Sequence, residues 1–251
     1  MRMTETVKQL LIINVIFYIG SQFVAMAYPL FSLYFPLNEN FRFWQPLTSM
    51  FMHAKMPNLM HIVFNMFALV SFGSALEHFW GAKKFIFFYI SCGLGAALLH
   101  LGVNYYEYQS AVSALQEAGI SNDVIAMIAK EGKYNQQILD LVPLNKLQDL
   151  YYSYTIPAVG ASGAIYGLLT AFAFMFPNAE LALLFIPVPI KAKYFVPGIL
   201  AIDLFLGFGG SSIFGSGGTG VAHFAHLGGA LFGFIMMWYW KKNSFNNNRW
   251  D

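Results

Sequence analysis

The sequence predicts an all-α polytopic membrane protein, a bundle of six transmembrane helices with both termini in the cytosol. Three observations lead there. The first is composition. Of 251 residues, 57% are hydrophobic, 18% aromatic and only 10% charged, with a mean hydropathy of +0.54; a soluble domain carries about 25% charged residues. The second is a set of apolar stretches near the ~20 residues that cross a bilayer, at 9–31, 58–79, 83–103, 157–176, 194–209 and 221–240. The third is the placement of cations between them. Arg2, Lys8, Lys83, Lys84, Lys191, Lys193, Lys241, Lys242 and Arg249 fall on one side of an alternating threading. Only Arg42, Lys55, Lys130, Lys133 and Lys146 fall on the other, although its loops are longer. Cations favour the cytosolic face, which fixes the orientation.

Each element follows in order. Arg2 and Lys8 precede the first apolar run, and Ala25-Met26-Ala27 looks like a signal-peptidase site. The run continues past it through Leu30-Phe31, so it reads as a retained first span rather than a cleaved leader. Residues 32–57 form an outer loop whose Phe41-Arg42-Phe43-Trp44-Gln45-Pro46 mix suits the membrane interface. Residues 104–156 are a polar outer insertion. Within it Ser121 can cap a helix over Asn122–Glu131 that Gly132 ends, and 145–152 can form another short helix. Leu181–Pro189 either extends the short fifth span or lies as a re-entrant or interfacial piece. Glycines at 207–220 read as a flexible outer turn, since no phosphate-loop lysine follows them. The whole reads as a single domain over 1–251.

The net charge of +2 gives no footing for nucleic acid, and the single cysteine, Cys92, allows no internal disulfide. The lipid bilayer is the implied partner.

Polar residues inside the spans carry the chemical signal, because hydrocarbon penalises them. His61 and Asn65 lie one turn apart on one helical face, as do Ser162 and Tyr166. His226 shares a face with Gly229 and Ala230. Gly163/Gly167 and Gly229/Gly233 are small-xxx-small pairs that let two helix backbones approach. Such an approach would bring Ser162 within reach of His226. Alone, Ser162 could be a packing residue, and His61, Asn65 and His226 could be interhelical hydrogen-bonding groups. Together they make the parts of a serine protease. A hydroxyl needs a base, which neutral histidine supplies. An oxyanion needs donors such as Asn and backbone N–H groups. Ser162 at a helix N-terminus would have unpaired N–H groups beside it.

These residues resemble the rhomboid intramembrane serine proteases. The matching pieces are His61-x-x-x-Asn65, Gly73…Glu77-x-x-x-Gly81, Gly160-Ala161-Ser162-Gly163 and Ala225-His226-Leu227-Gly228-Gly229, in the family's order. The resemblance implies a rhomboid-like six-helix bundle with Ser162 as nucleophile and His226 as general base. It implies an oxyanion hole from Asn65, His61 and the Ser162 N–H, with Tyr166 packed on the His226 ring. Gly160, Gly163, Gly229 and Glu77 would support the site. Residues 32–57 would lie half-embedded beside it, and the fifth span would be a lateral gate. Substrates would be transmembrane segments of other proteins, cleaved without a cofactor. Many members carry Trp-Arg in the first outer loop, where this chain has Trp44-Gln45.

The family uses a two-residue dyad, so no catalytic acid is expected. Asp203 in the fifth span could pair with His223, one turn before His226. His53, His78 and His100 read as interfacial. His223-x-x-His226 could begin a metal site, but no HExxH marks a zinc protease, and no metal is expected; Ala164 breaks an esterase GxSxG. A transporter would show repeated halves with broken helices, which are absent. An inactive rhomboid-like binding protein would lack the Ser or the His, and this chain has both. The expected location is a bacterial cytoplasmic membrane, with the site toward the extracytoplasmic side.

Overall fold

The computed structural model describes residues 2–183, 186–209 and 221–243. Most of the glycine-rich 207–220 stretch and Arg249 lie outside the described residues. Almost everything described is helical, as expected. Among the described residues, three helical segments are long and apolar enough to cross a membrane: Glu5–Phe23 (α1), Leu59–Trp80 and Ala82–Glu117.

The first predicted span divides. After α1 the chain turns at 24–26 into a short helix, α2 (Ala27–Phe31). The N-terminus of α1 is satisfied from another helix. The Glu77 carboxylate accepts from the backbone N–H of Thr6 (3.1 Å) and Val7 (3.0 Å) and from the Thr4 hydroxyl. Those amides are orphan donors of a first turn, and an anion there also suits the helix dipole.

The second span runs as α4 (Leu59–Ala68), a π-helical turn at Leu69–Gly73 and α5 (Ser74–Trp80); between it and α2 lies a short helix, α3 (Gln45–Thr48). Gly81, at φ 74°, ends α5 and opens α6 (Ala82–Glu117). This third span outlasts its apolar stretch by some four turns, because the residues after 103 favour helix although they are polar. The insertion then folds back as α7 (Asn122–Glu131) and α8 (Leu144–Thr155). Ser121 and Gly132 flank α7 as the sequence predicts, with Gly132 left-handed at φ 66°. Leu115, Ile128, Leu147, Leu150 and Phe35 form a buried cluster of the insertion's own.

In the fourth apolar stretch the helix, α9 (Ser162–Met175), begins five residues later than the stretch suggests and is shorter than a span. Pro157 and Gly160 hold 157–161 out of the helix, and Ala158 instead pairs with Leu33 through two backbone hydrogen bonds (2.9 and 2.8 Å). The described residues of the 181–189 stretch do not extend the fifth span as helix. Glu180–Leu183 (β1) and Ile186–Lys191 (β2) form an antiparallel hairpin, with Glu180 opposite Lys191. Then follow α10 (Ala192–Gly209) and α11 (Val221–Asn243). The main core lies among α1, α4, α6 and α9, built on Leu69, Leu76, Phe85, Phe88, Tyr89 and Leu168.

Candidate active site

The seam between α9 and α11 makes the site. Gly163 and Gly167 on α9 face Gly229 and Gly233 on α11, as the small-residue spacing predicts. A Cβ on Gly233 would stand 2.9 Å from the Gly167 Cα and carbonyl oxygen, and one on Gly229 would run into the Gly163 carbonyl. Only glycine permits backbones this close. The approach places Ser162, first residue of α9, opposite His226, one turn into α11. His226 Nε2 lies 2.9 Å from Ser162 Oγ. The Tyr166 ring lies flat on the His226 ring, with centroids 4.3 Å apart and planes 9° apart.

Behind the imidazole stands Asp203 from α10. One carboxylate oxygen, Oδ1, is 3.4 Å from His226 Nδ1 and also bonds His223 Nδ1. The expected Asp203–His223 pair is therefore present, but the same oxygen also reaches His226. The resemblance implies no acid there. What marks Asp203 in the sequence is a carboxylate inside an apolar span; what hides its second contact is the relative rotation of α10 and α11, which spacing alone does not give.

On the other side of Ser162, α4 supplies His61 and Asn65. The Ala54 N–H donates to His61 Nδ1 (3.1 Å), so a neutral His61 ring carries its proton on Nε2. Gly160 has φ 131°, a conformation that side chains rarely adopt. A Cβ there would sit 3.1 Å from His61 Nε2 and 3.4 Å from Ser162 Oγ, so glycine keeps open the space between His61 and Ser162. Asn65 donates one amide N–H to the His61 carbonyl (2.6 Å); its Oδ1 is buried without a hydrogen-bond partner among the described residues.

The 32–57 loop holds these parts in place. Gly160 N–H donates to the Ser49 carbonyl (3.0 Å). Gln45 is fully buried and staples the loop. Its amide donates to the Pro29 (3.0 Å) and Asn40 (2.8 Å) carbonyls, and its oxygen accepts from the Tyr34 N–H (3.2 Å). His53 is fully buried, with Nε2 2.9 Å from Asn14 Oδ1. His100 is buried as well, bonded to Asn104, while His78 is exposed. Neither Asn14 nor the burial of His53 is legible in the sequence, since an isolated Asn in an apolar run names no partner.

An apolar helical bundle that closes a Ser–His hydrogen bond at a glycine seam is a narrow class. The chain belongs to the rhomboid family: the family model described as Rhomboid domain matches residues 40–243. That family includes intramembrane proteases. The chain is 28% identical over 182 residues to Rhomboid protein 1, mitochondrial, of Saccharomyces cerevisiae, covering 72% of this chain and 38% of that protein. It is 28% identical over 194 residues to the Presenilin-associated rhomboid-like proteins, mitochondrial, of Mus musculus and Homo sapiens, covering 77% of this chain and 36% of each. The chain thus spans less than two-fifths of the length of these relatives. Their names place them in mitochondria, so the comparison gives no support to the bacterial cytoplasmic membrane expected above. The membrane-embedded character rests on the family and the apolar helices.

Proposed function

We propose that this protein is an intramembrane serine endopeptidase that cuts transmembrane segments with Ser162 and His226. The observation that carries the reading is the 2.9 Å contact between His226 Nε2 and Ser162 Oγ at the N-terminus of α9. In the reaction, Ser162 Oγ attacks the scissile carbonyl carbon as its proton passes to His226 Nε2. The resulting oxyanion takes hydrogen bonds from His61 Nε2–H, the Asn65 amide and the Ser162 N–H. His226 then gives the proton to the leaving amine. Water, deprotonated by the same nitrogen, releases the acyl group and restores the serine.

The base works only if Nε2 is free to accept, which requires the ring proton on Nδ1. Asp203 at 3.4 Å favours that tautomer and steadies the imidazolium, so it acts as a positioning residue. Tyr166 holds the ring plane. Gly160, Gly163 and Gly229 keep backbones and space in register, and Glu77 fixes α1 against α5.

The wider reading has six spans, both termini cytosolic and the site toward the outer face. It is one rhomboid domain over 1–251, with 32–57 as a half-embedded outer loop and 104–156 as an outer insertion. Substrate enters past α10, the lateral gate, and unwinds so that the cut bond is extended. Transmembrane proteins and the bilayer are the partners; nucleic acid and cofactors play no part.

The test is purified protein with a generic transmembrane substrate, wild type beside Ser162→Ala. Cleavage that disappears in the variant supports the reading. A folded wild type without cleavage, which still binds the substrate, would replace it with a rhomboid-like binding protein.

A further inference from the structure

Three ligand-type side chains meet behind the base. Asp203 on α10 and His223 and His226 on α11 each offer one donor atom, and the three atoms lie within 4.8 Å of one another. His223 and His226 are three apart on one helix, so both rings project to one side. Asp203 is 5% exposed, and its carboxylate meets both imidazoles and interacts with Tyr166. The cluster therefore gathers metal-ligating atoms around a carboxylate in a place where a bare charge is costly.

We propose that Asp203, His223 and His226 form an inhibitory site for a divalent transition-metal ion of the zinc type, a reading that rests on His226 being the base of the proposed protease. Two imidazoles and a carboxylate suit zinc and its neighbours, and are a poor set for magnesium or calcium. Zinc bonds of ~2.0–2.2 Å in a tetrahedron set donor atoms roughly 3.3 Å apart. The Asp203 Oδ1 to His226 Nδ1 separation, 3.4 Å, already has that value. The Asp203–His223 contact is shorter and opens by a rotation of the His223 ring. A water completes the fourth position.

Occupation stops the enzyme in two ways. An ionised carboxylate only accepts, so in the metal-free site each ring turns an Nδ1–H toward Asp203. The metal takes Nδ1 of both rings, and the two displaced protons become one on each Nε2. No electrons are transferred and the rings stay neutral. With its proton on Nε2, His226 donates to Ser162 Oγ instead of accepting from it, so the nucleophile loses its base. The ion also ties α10 to α11, which holds the gate against the helix that carries the base. The site thus reads metal availability and sets activity, with no metal in the chemical step.

The binding arm of the test uses the Ser162→Ala protein in detergent, so that activity plays no part. Calorimetric titration with zinc, and cobalt as a spectroscopic probe, should show one ion per chain with tetrahedral d–d absorption, and magnesium and calcium should not compete. His223→Gln and Asp203→Asn in that background should each weaken binding by at least the ~10–100-fold that loss of even an outer-shell partner costs. Size-exclusion and thermal melts confirm that each variant is folded. Zinc that fails to bind, or binds equally in both variants, overturns the site. The activity arm uses the wild type. Zinc should inhibit cleavage, a chelator should restore it, and His223→Gln should raise the inhibitory concentration about tenfold or more, each protein normalised to its own metal-free rate. Binding at these residues with cleavage unaffected overturns the switch. A wild type that cuts nothing but binds zinc here refutes the protease reading and its switch while leaving the metal site standing.

Discussion

The α9–α11 seam and the 104–156 insertion are held together by opposite means. The seam has almost no bulk in it: glycine faces glycine, and backbone rests on backbone. The insertion is built like a small soluble domain, with Leu115, Ile128, Leu147 and Leu150 at 2% exposure or less and polar residues outside. Solvent explains the difference. In hydrocarbon a leucine gains little by leaving lipid for protein, so helices associate through close packing and hydrogen bonds. Where water is the solvent, apolar area removed from it stabilises at about 25 cal/mol per Å². The proposed reacting pair, Ser162 and His226, sits on the seam. Precision there comes from shape that tolerates no added atom, whereas the insertion can lose atoms and still cohere.

The largest break is chemical. Ser162→Ala and His226→Ala should each abolish cleavage, a loss on the order of 10⁶-fold by comparison with other serine proteases, with the melting profile unchanged. Either variant retaining near-wild-type turnover would remove these residues from the mechanism. Asn65→Ala should cost less, about 10²–10³ in kcat with KM nearly constant, because its bond strengthens in the transition state. A higher KM at normal kcat would assign Asn65 to substrate binding.

A matched pair of packing variants tests the comparison directly. Gly233→Val adds atoms where the Gly167 backbone stands 2.9 Å away. It should destabilise by roughly 1–3 kcal/mol and, by shifting His226 against Ser162, lower turnover about 10²-fold. Ile128→Ala removes atoms from the fully buried core of the insertion. It should cost about 2–5 kcal/mol in unfolding of that region and change kcat by no more than a few-fold. Thermal melts and turnover on the same preparations decide. Equal catalytic loss in both would mean that the insertion and the seam are one mechanical unit.

The sequence made the seam and its chemistry readable because glycine spacing and polar residues in apolar runs are strong signals. Ser162, Tyr166, His226 and the four seam glycines stand where helical periodicity puts them. The limits of α7 were equally plain, since Ser121 and Gly132 act locally. What escaped depended on contacts between distant segments. The hairpin over 180–191 has the hydropathy of a helix end. The π turn at Leu69–Gly73 and the break after Phe23 leave hydropathy unchanged. Gly160 and Pro157 did signal a late start for α9, but the apolar stretch outweighed them. The reach of Asp203 to His226 and the Asn14–His53 bond depend on helix rotation, which no local pattern encodes.

His53 stands between the two regimes and sharpens the comparison by the smallest effect. It belongs to the outer loop, yet it is fully buried and tied to Asn14 of α1. The Tyr28 hydroxyl also donates to its carbonyl. This junction is neither a glycine contact nor an apolar core, and a buried polar group without its partner would be costly. Burial, with the neighbouring His61 adding to it, pushes the His53 imidazole down to about 3. In the unfolded chain it returns to about 6.5. Between those values the unfolded state binds the extra proton. Stability from this residue is therefore complete above pH ~6.5 and is lost progressively as pH falls toward 3, reaching about 2 kcal/mol of loss near pH 5. His53→Gln keeps an amide that can donate to Asn14 and removes the titration. Thermal melts from pH 7 to 5 should then fall more steeply for wild type than for the variant, since all other groups cancel in the difference. Parallel curves would mean that His53 is hydrated at its seat, and that the outer loop is held to α1 by Gln45 and Tyr28 rather than by a dry histidine.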